Sequence, residues 1–301
     1  MKIFLTGGSG YIGSAVAQRL KKAGHAVSAL VRSPEKAKDL QAAGVKLVAG
    51  DLANPAGYAG AAYGSDAFVH TAFDYSPQGP ELDRRAVVTA RELLRGRVGA
   101  TLIYTSGIWV LGPTDGSEAA DESAPLKPAK ASSWRPANEQ LALDAGKDGI
   151  RAVVVRPGMV WGGRGGVLAG FFGSALKSGA PQVVGDGSNI WPMVHLDDLA
   201  ELYVRLVERA PNGSIFYAVE GSRHTVREVA EAAARAAGKD GAIQTLSVDQ
   251  ARAQMGVVAD ALAMTQRISG EKAKNDLDWR PRHESFVAEA KAAFDAWRAA
   301  Q

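Results

Sequence analysis

The 301-residue chain has no cysteine, which excludes disulfides, a thiolate nucleophile and any cysteine-ligated metal. It also lacks an apolar run approaching the roughly 20 residues that a membrane-spanning helix requires. An excess of one charge is missing too: 35 Lys and Arg stand against 32 Asp and Glu, a net of +3. These charges alternate along stretches such as RRAVVTARELLR and AEAAARAAGK rather than forming a stripe, so nucleic acid is not an expected partner. The histidines His25, His70, His195, His224 and His283 are scattered without ligand spacing, and we expect no metal site. A first strand beginning at Lys2 leaves no room for a signal peptide, so the expected location is the cytoplasm.

What is present is apolar residue, 46% of the chain, enough to bury a full core. Glycine is placed with purpose. In IFLTGGSGYIG, residues 3–13, an apolar run meets Gly7, Gly10 and Gly13 and continues into the helix-like IGSAVAQRLKKAG. Gly7 permits a tight strand-to-helix turn, Gly10 lets backbone approach a pyrophosphate, and Gly13 lets the helix pack closely on the strand. The helix N-terminus then offers free N–H groups and a positive dipole to phosphates.

Strand-like runs recur at Ile3–Thr6, Ala26–Val31, Lys46–Gly50, Ala67–Thr71, Thr101–Thr105 and Ala152–Arg156. Between them SAVAQRLKKAG, EKAKDLQAAG, DRRAVVTARELLRG and NEQLALDAGKDG read as amphipathic helices. The alternation predicts an α/β fold, a doubly wound parallel sheet of Rossmann type with right-handed crossovers. After Gly158 the rhythm changes, and residues 224–238 and 284–298 read as helices of a smaller C-terminal substrate lobe. The expected division is a dinucleotide-binding domain over 1–160, with part of 190–220 packing on it, and a discontinuous lobe within 161–301. The Gly-rich stretch 162–170 is a candidate rim over substrate, though glycine also serves plain turns.

TGGSGYIG, AGDL at 49–52, RPGMVWG at 156–162, VHLDDLAELYV at 194–204 and NDLDWRPR at 275–282 run in order along nearly the whole chain. Together they resemble an extended short-chain dehydrogenase/reductase of the NAD-dependent epimerase/dehydratase type. The resemblance implies a nicotinamide cofactor and a small-molecule substrate bearing a carbonyl, a hydroxyl or a sugar. It puts Asp51 and Leu52 at the adenine, and Thr71, Ala72 and Phe73 along the ribose and diphosphate. Pro157, Gly158 and Met159 lie by the nicotinamide. Ser9, Tyr11 and Ile12 among the glycines, and Thr105 closing the fifth strand, complete the expected cofactor site. Asp51 could also simply cap a turn, and Arg156 reads better as a structural ion-pair partner than as a catalyst. Members of the family often pair through helices corresponding here to about 81–95 and 134–146, which makes a homodimer one reading; core packing explains the apolar stripes of both segments equally well.

Cofactor choice is argued from the end of the second strand, ALVRSPEK. A site for NAD usually places a carboxylate there, about 20 residues past the glycines. Val31 holds that position, and Arg32 with Ser33 follows, a pairing suited to a 2′-phosphate; Lys36 adds charge. We expect NADP(H), with NAD(H) as the alternative.

The resemblance departs at the catalytic positions. The family uses a Ser or Thr after the fifth strand and a Tyr-x-x-x-Lys on the next helix, the lysine lowering the tyrosine pKa. None of the seven tyrosines here has a lysine four residues later. Register from Glu139 puts Ala131 at the tyrosine position and Arg135 at the lysine position, while Gly107, beside Ser106, holds the hydroxyl position. Arginine stays charged and can fork two hydrogen bonds, but it does not restore a phenol.

Two classes of function follow. One is an oxidoreductase or epimerase-like enzyme with a replacement group, the candidates being Ser106, Tyr75 and Arg135 with Trp134. The other is a catalytically silent NADP(H) sensor or scaffold. Ser106 reads equally as a cofactor contact, and Tyr75 reads more readily as loop packing. His195 reads as structural, before a helix capped by Asp197 or Asp198, and His70 as a packed strand-end residue. Trp109, Trp134, Trp161 and Trp191 fall in segments expected near the pocket and suggest a ring-shaped ligand.

Overall fold

Most of the apolar runs read from the sequence bury both of their faces when they pair side by side. In the computed structural model, which describes residues 1–301, the strands are β1 (Lys2–Thr6), β2 (Ala26–Val31), β3 (Lys46–Ala49), β4 (Ala67–His70), β5 (Thr101–Thr105) and β6 (Arg151–Pro157), with β7 (Met159–Trp161), β8 (Gln182–Val184), β9 (Met193–His195), β10 (Ser214–Ala218) and β11 (Gln244–Leu246). The helices are α1 (Tyr11–Lys22), α2 (Lys38–Ala42), α3 (Ala56–Ala62), α4 (Gly79–Leu94), α5 (Arg135–Leu143) and α6 (Val167–Ser178), followed by α7 (Leu196–Arg209), α8 (Val226–Ala236), α9 (Val248–Met255), α10 (Val258–Ala263), α11 (Glu271–Leu277) and α12 (Phe286–Ala299).

Seven strands form one sheet in the order β10-β6-β5-β4-β1-β2-β3, and every pairing in it is parallel. The order reverses between β1 and β4, the switch point at which open α/β sheets hold ligands. Strand alternation feeds two layers. Ile3 and Leu5 point into a core shared with α1 and α7, while Phe4 points into the opposite one, with Val87 and Ala90 of α4. A third core, containing Phe171, Phe172, Val229, Ala233, Phe286 and Phe294, is built from α6, α8 and α12 and forms the smaller lobe.

Three local readings are corrected. The sheet has a seventh strand, β10, whose five residues SIFYA sit against β6; it falls in the 190–220 stretch expected to pack in part on the first domain, where no strand is read from the sequence. EKAKDLQAAG is not one helix, because Pro34 opens a short 3-10 turn over Pro34–Lys36 and only Lys38–Ala42 is α-helical. NEQLALDAGKDG is likewise α-helical only to Leu143, and Asp144–Asp148 tightens to 3-10 before Gly149 at φ +79°. No helix is long and apolar enough to cross a membrane.

Candidate active site

The turn between β1 and α1 behaves as its glycines dictate. Gly7 has φ +79°, and a Cβ there would lie 2.7 Å from the Ala72 backbone. At Gly13 a Cβ would come 2.1 Å from the Gly7 carbonyl, so the helix packs on its own turn with no room for a side chain. At Gly10 the nearest atom would be 3.1 Å away, and this position faces a cavity instead. Helix α1 has no side-chain cap and no acid in its first turn, so its first N–H groups remain available to an anion.

That cavity, of about 360 Å³, is walled by the expected Gly7, Ser9, Gly10, Tyr11, Ile12 and Gly13, by Arg32, by Asp51 and Leu52, and by Thr71, Ala72 and Phe73. Leu30, Gly50, Asp74, Tyr75 and Leu82 complete it. Asp51 does cap a turn, its Oδ1 accepting from Ala53 N–H at 2.8 Å, yet it also faces the cavity. Ser33, Thr105, Pro157, Gly158 and Met159 are not among the walls. Thr105 and Pro157 instead close β5 and β6 at their carboxyl ends, and Met159 opens β7.

At the rim Arg32 is 75% exposed, and its Nη1 lies 3.8 Å from Asp74 Oδ2. Sequence reasoning missed Asp74, whose carboxyl is held below its ordinary range by hydrogen bonds from Ser76 and, less, by Arg32. An Asp at a loop start carries no periodic signal; only the fold shows that it faces the pocket.

The segment at which the resemblance places the catalytic pair is organised around aromatic stacking. Ala131 lies in a 3-10 turn, Lys130–Ser132, and Arg135 is the first residue of α5. Phe73 and Trp134 stack at 5.2 Å with rings 6° from parallel. The Arg135 guanidinium sits 4.5 Å over Trp134 and 5.2 Å from Phe73, while its Nη1 donates to the Thr105 carbonyl at 3.0 Å. Ser106 is buried, and its Oγ has no hydrogen-bond partner. Tyr75 is 93% exposed and edge-on to Phe73; it lines the glycine-turn cavity.

Beneath this segment lies a buried polar chain. Thr6 Oγ1 contacts His70 Nδ1 at 2.6 Å, and His70 Nε2 contacts Asp83 Oδ1 at 3.1 Å. Tyr104 and Asn138 donate to Asp83 Oδ2 at 2.7 and 2.8 Å. Burial alone would raise the Asp83 carboxyl, but its contacts with His70 and the nearby Arg135 outweigh that and hold it low. His70 is therefore packed and hydrogen-bonded, as a strand-end residue should be. Arg156 forms a bidentate, buried pair with Glu139, at 2.9 and 2.6 Å, and also reaches Tyr217. It is an ion-pair partner holding α5 to β6.

Residues 3–218 match the family described as NAD dependent epimerase/dehydratase. The chain belongs to this family. It is 31% identical to the uncharacterized protein C2A9.02 of Schizosaccharomyces pombe, over 96% of this chain and 98% of that one. It is 28% identical to 2-alkyl-3-oxoalkanoate reductase of Stenotrophomonas maltophilia, over 90% and 86% of the two chains. Its fold matches UDP-glucose 4-epimerase of Thermus thermophilus, crystallised with NAD, at a TM-score of 0.84 and 23% identity, each chain covered completely.

In this member of the epimerase/dehydratase family the smaller lobe holds two surprises. Trp161 and Trp191 are buried in the lobe's own core, Trp191 donating to Leu262 O at 3.0 Å; they fill space rather than offer a ring to a ligand. The scattered histidines also converge: His195 and His283 stack at 3.5 Å, with Asp198 close by. The Asp198 carboxylate accepts the N–H groups of Arg282 and His283. Helix α7 is capped not by Asp197 or Asp198 but by His195, whose Nδ1 accepts from Asp197 N–H at 3.2 Å. Burial first, and His283 second, push the His195 pKa down. No linear spacing joins residues 195 and 283, so only the tertiary fold brings them together. Next to them burial raises the Glu220 carboxyl to about 7, despite hydrogen bonds from Trp161 and Ser222.

Proposed function

We propose that the chain is an NADP(H)-dependent oxidoreductase of the extended short-chain dehydrogenase/reductase type, interconverting a carbonyl and a hydroxyl on a small molecule with Ser106 and Arg135 in place of the Tyr-x-x-x-Lys pair. The observation that carries this reading is the glycine-turn cavity with a free helix N-terminus at its floor and Arg32 at its rim. The absence of a carboxylate at the end of β2, where Val31 is buried, supports a 2′-phosphate next to Arg32 and Ser33 over a free ribose diol.

A nicotinamide cofactor, when bound, supplies or takes up a hydride at carbon. Reduction then consumes one carbonyl, one NADPH and one proton and yields the alcohol and NADP⁺. In this reading Ser106 Oγ, which has no protein partner, donates a hydrogen bond to the carbonyl oxygen and polarises it. Arg135, fixed by Thr105 and the Phe73–Trp134 stack, directs its remaining N–H donors at ribose or at the developing alkoxide. The proton arrives from water rather than from a phenol. The S. maltophilia relative, a reductase by name, supports a ketone as substrate, and the NAD in the T. thermophilus complex supports a nicotinamide dinucleotide.

Fluorescence titration with NADPH and NADH, followed by a screen of ketones, tests the reading. We expect NADPH to bind more tightly than NADH and to be consumed with at least one ketone. Tighter NADH binding overturns the cofactor assignment, and binding without any turnover overturns the enzyme.

A further inference from the structure

A cavity of about 860 Å³, separate from the dinucleotide site, lies on the outer flank of α1. Its walls carry Arg19, Lys21 and Lys22 from α1, Arg164 from the glycine-rich loop after β7, and Arg282 from the segment before α12. Three separate parts of the chain thus send cations into one concavity, in a protein whose net charge is only +3. The sole acid in the wall is Asp197. Arg19 is already engaged, its Nε donating to Glu201 at 2.6 Å. The other four cations make neither an ion pair nor a side-chain hydrogen bond. Unpaired cations gathered around one cavity repel, an arrangement that an anion relieves.

The shape narrows the ligand class. The cavity falls in the size range of small-molecule sites, roughly 300 to 1,000 Å³. Ala15, Leu196, Ala200 and the Tyr11 ring give it an apolar floor beside the cations. A nucleic-acid surface would present a convex or linear stripe instead. Tyr11 is the partition between this cavity and the dinucleotide cavity, and its phenol is fixed by donating to Gly162 O at 2.7 Å.

We propose that this cavity is a second anion site, separate from the cofactor site, that accepts a small molecule carrying two or more phosphate groups. Arg164 and Arg282 grip the phosphates from the lobe side, Lys21 and Lys22 from α1.

Isothermal titration of the full chain with inorganic tripolyphosphate at physiological ionic strength tests it. Binding should weaken about tenfold or more in Arg164→Ala/Arg282→Ala, since each lost charge-assisted hydrogen bond is worth about a factor of ten. It should stay within about twofold in Arg32→Ala, because that cation lines the other cavity. Lys22→Glu, on the opposite wall, serves as an independent second variant and should weaken binding comparably. Both sets replace exposed side chains without partners, so folding is not at stake. No binding by the wild type, or wild-type affinity in both the double variant and Lys22→Glu, overturns the proposal. Loss of binding in Arg32→Ala also overturns it, assigning the anion to the dinucleotide cavity. None of these readouts requires nicotinamide binding or turnover.

Discussion

Arg135 donates to the main-chain carbonyl of Thr105 at 3.0 Å, tying the first turn of α5 to the end of β5. The same guanidinium stacks on Trp134 and stands close enough to the buried Asp83 to help keep it ionised. One side chain therefore sets the segment at which the family's catalytic pair is expected and compensates the charge beneath it. Arg135→Ala should lower stability by about 1 to 2 kcal/mol. It should also lower kcat/KM by about tenfold or more for whichever ketone is accepted. Arg135→Lys should recover little of either, since an ammonium neither forks nor stacks as a guanidinium does. Chemical denaturation and steady-state kinetics read both effects; full rescue by lysine would show that charge alone matters.

The buried Arg156–Glu139 pair makes a different prediction. Glu139→Gln leaves Arg156 charged and half-satisfied in the core and should cost about 3 to 5 kcal/mol. Arg156→Met/Glu139→Leu, which removes both charges, should cost less than either single change. A double-mutant cycle by urea denaturation measures this, and simple additivity would contradict a coupled pair.

Glu220 governs a pH dependence. Its carboxyl is raised from an ordinary 4.5 to about 7 in the folded chain, so the native state holds its proton where the unfolded chain has released it. The stability linked to Glu220 is fully present below about pH 4.5 and is lost as pH rises through about 7. Glu220→Gln should flatten that loss and leave the variant more stable than wild type by about 1 to 2 kcal/mol at pH 8. Thermal melts between pH 5 and pH 8 show it; parallel curves for the two proteins would refute it.

Arg32 should decide the cofactor. Arg32→Asp should weaken NADPH by about tenfold or more, from the loss of a charge-assisted contact and the gain of a repulsion, while changing NADH far less. Equal losses for both cofactors would place Arg32 outside the 2′-phosphate contact.

Much of the fold was legible because its signals are local. The glycines at 7, 10 and 13 and the alternating apolar runs specify their turn and strands without help from distant residues. Twelve of the residues expected at the cofactor do wall one cavity, since they follow consecutive strand ends that a parallel sheet aligns. What escaped reading depends on contacts distant in sequence. Five-residue β10 is recognisable only beside β6, and the His195–His283 stack joins residues 88 positions apart. Asp74 has no pattern of its own, and the cationic cavity is assembled from segments whose charges alternate harmlessly along each helix. Trp161 and Trp191 misled because bulk and aromaticity suit a lobe core as well as a ligand.

The central claim, ketone chemistry at Ser106 without a catalytic tyrosine, is tested most directly by NADPH oxidation over a panel of ketones, comparing wild type with Ser106→Ala and measuring NADPH affinity for both. We expect turnover by the wild type and a loss of about a hundredfold in kcat for Ser106→Ala, with NADPH affinity unchanged. Full activity in Ser106→Ala, or tight NADPH binding by the wild type with no ketone reduced, would contradict it.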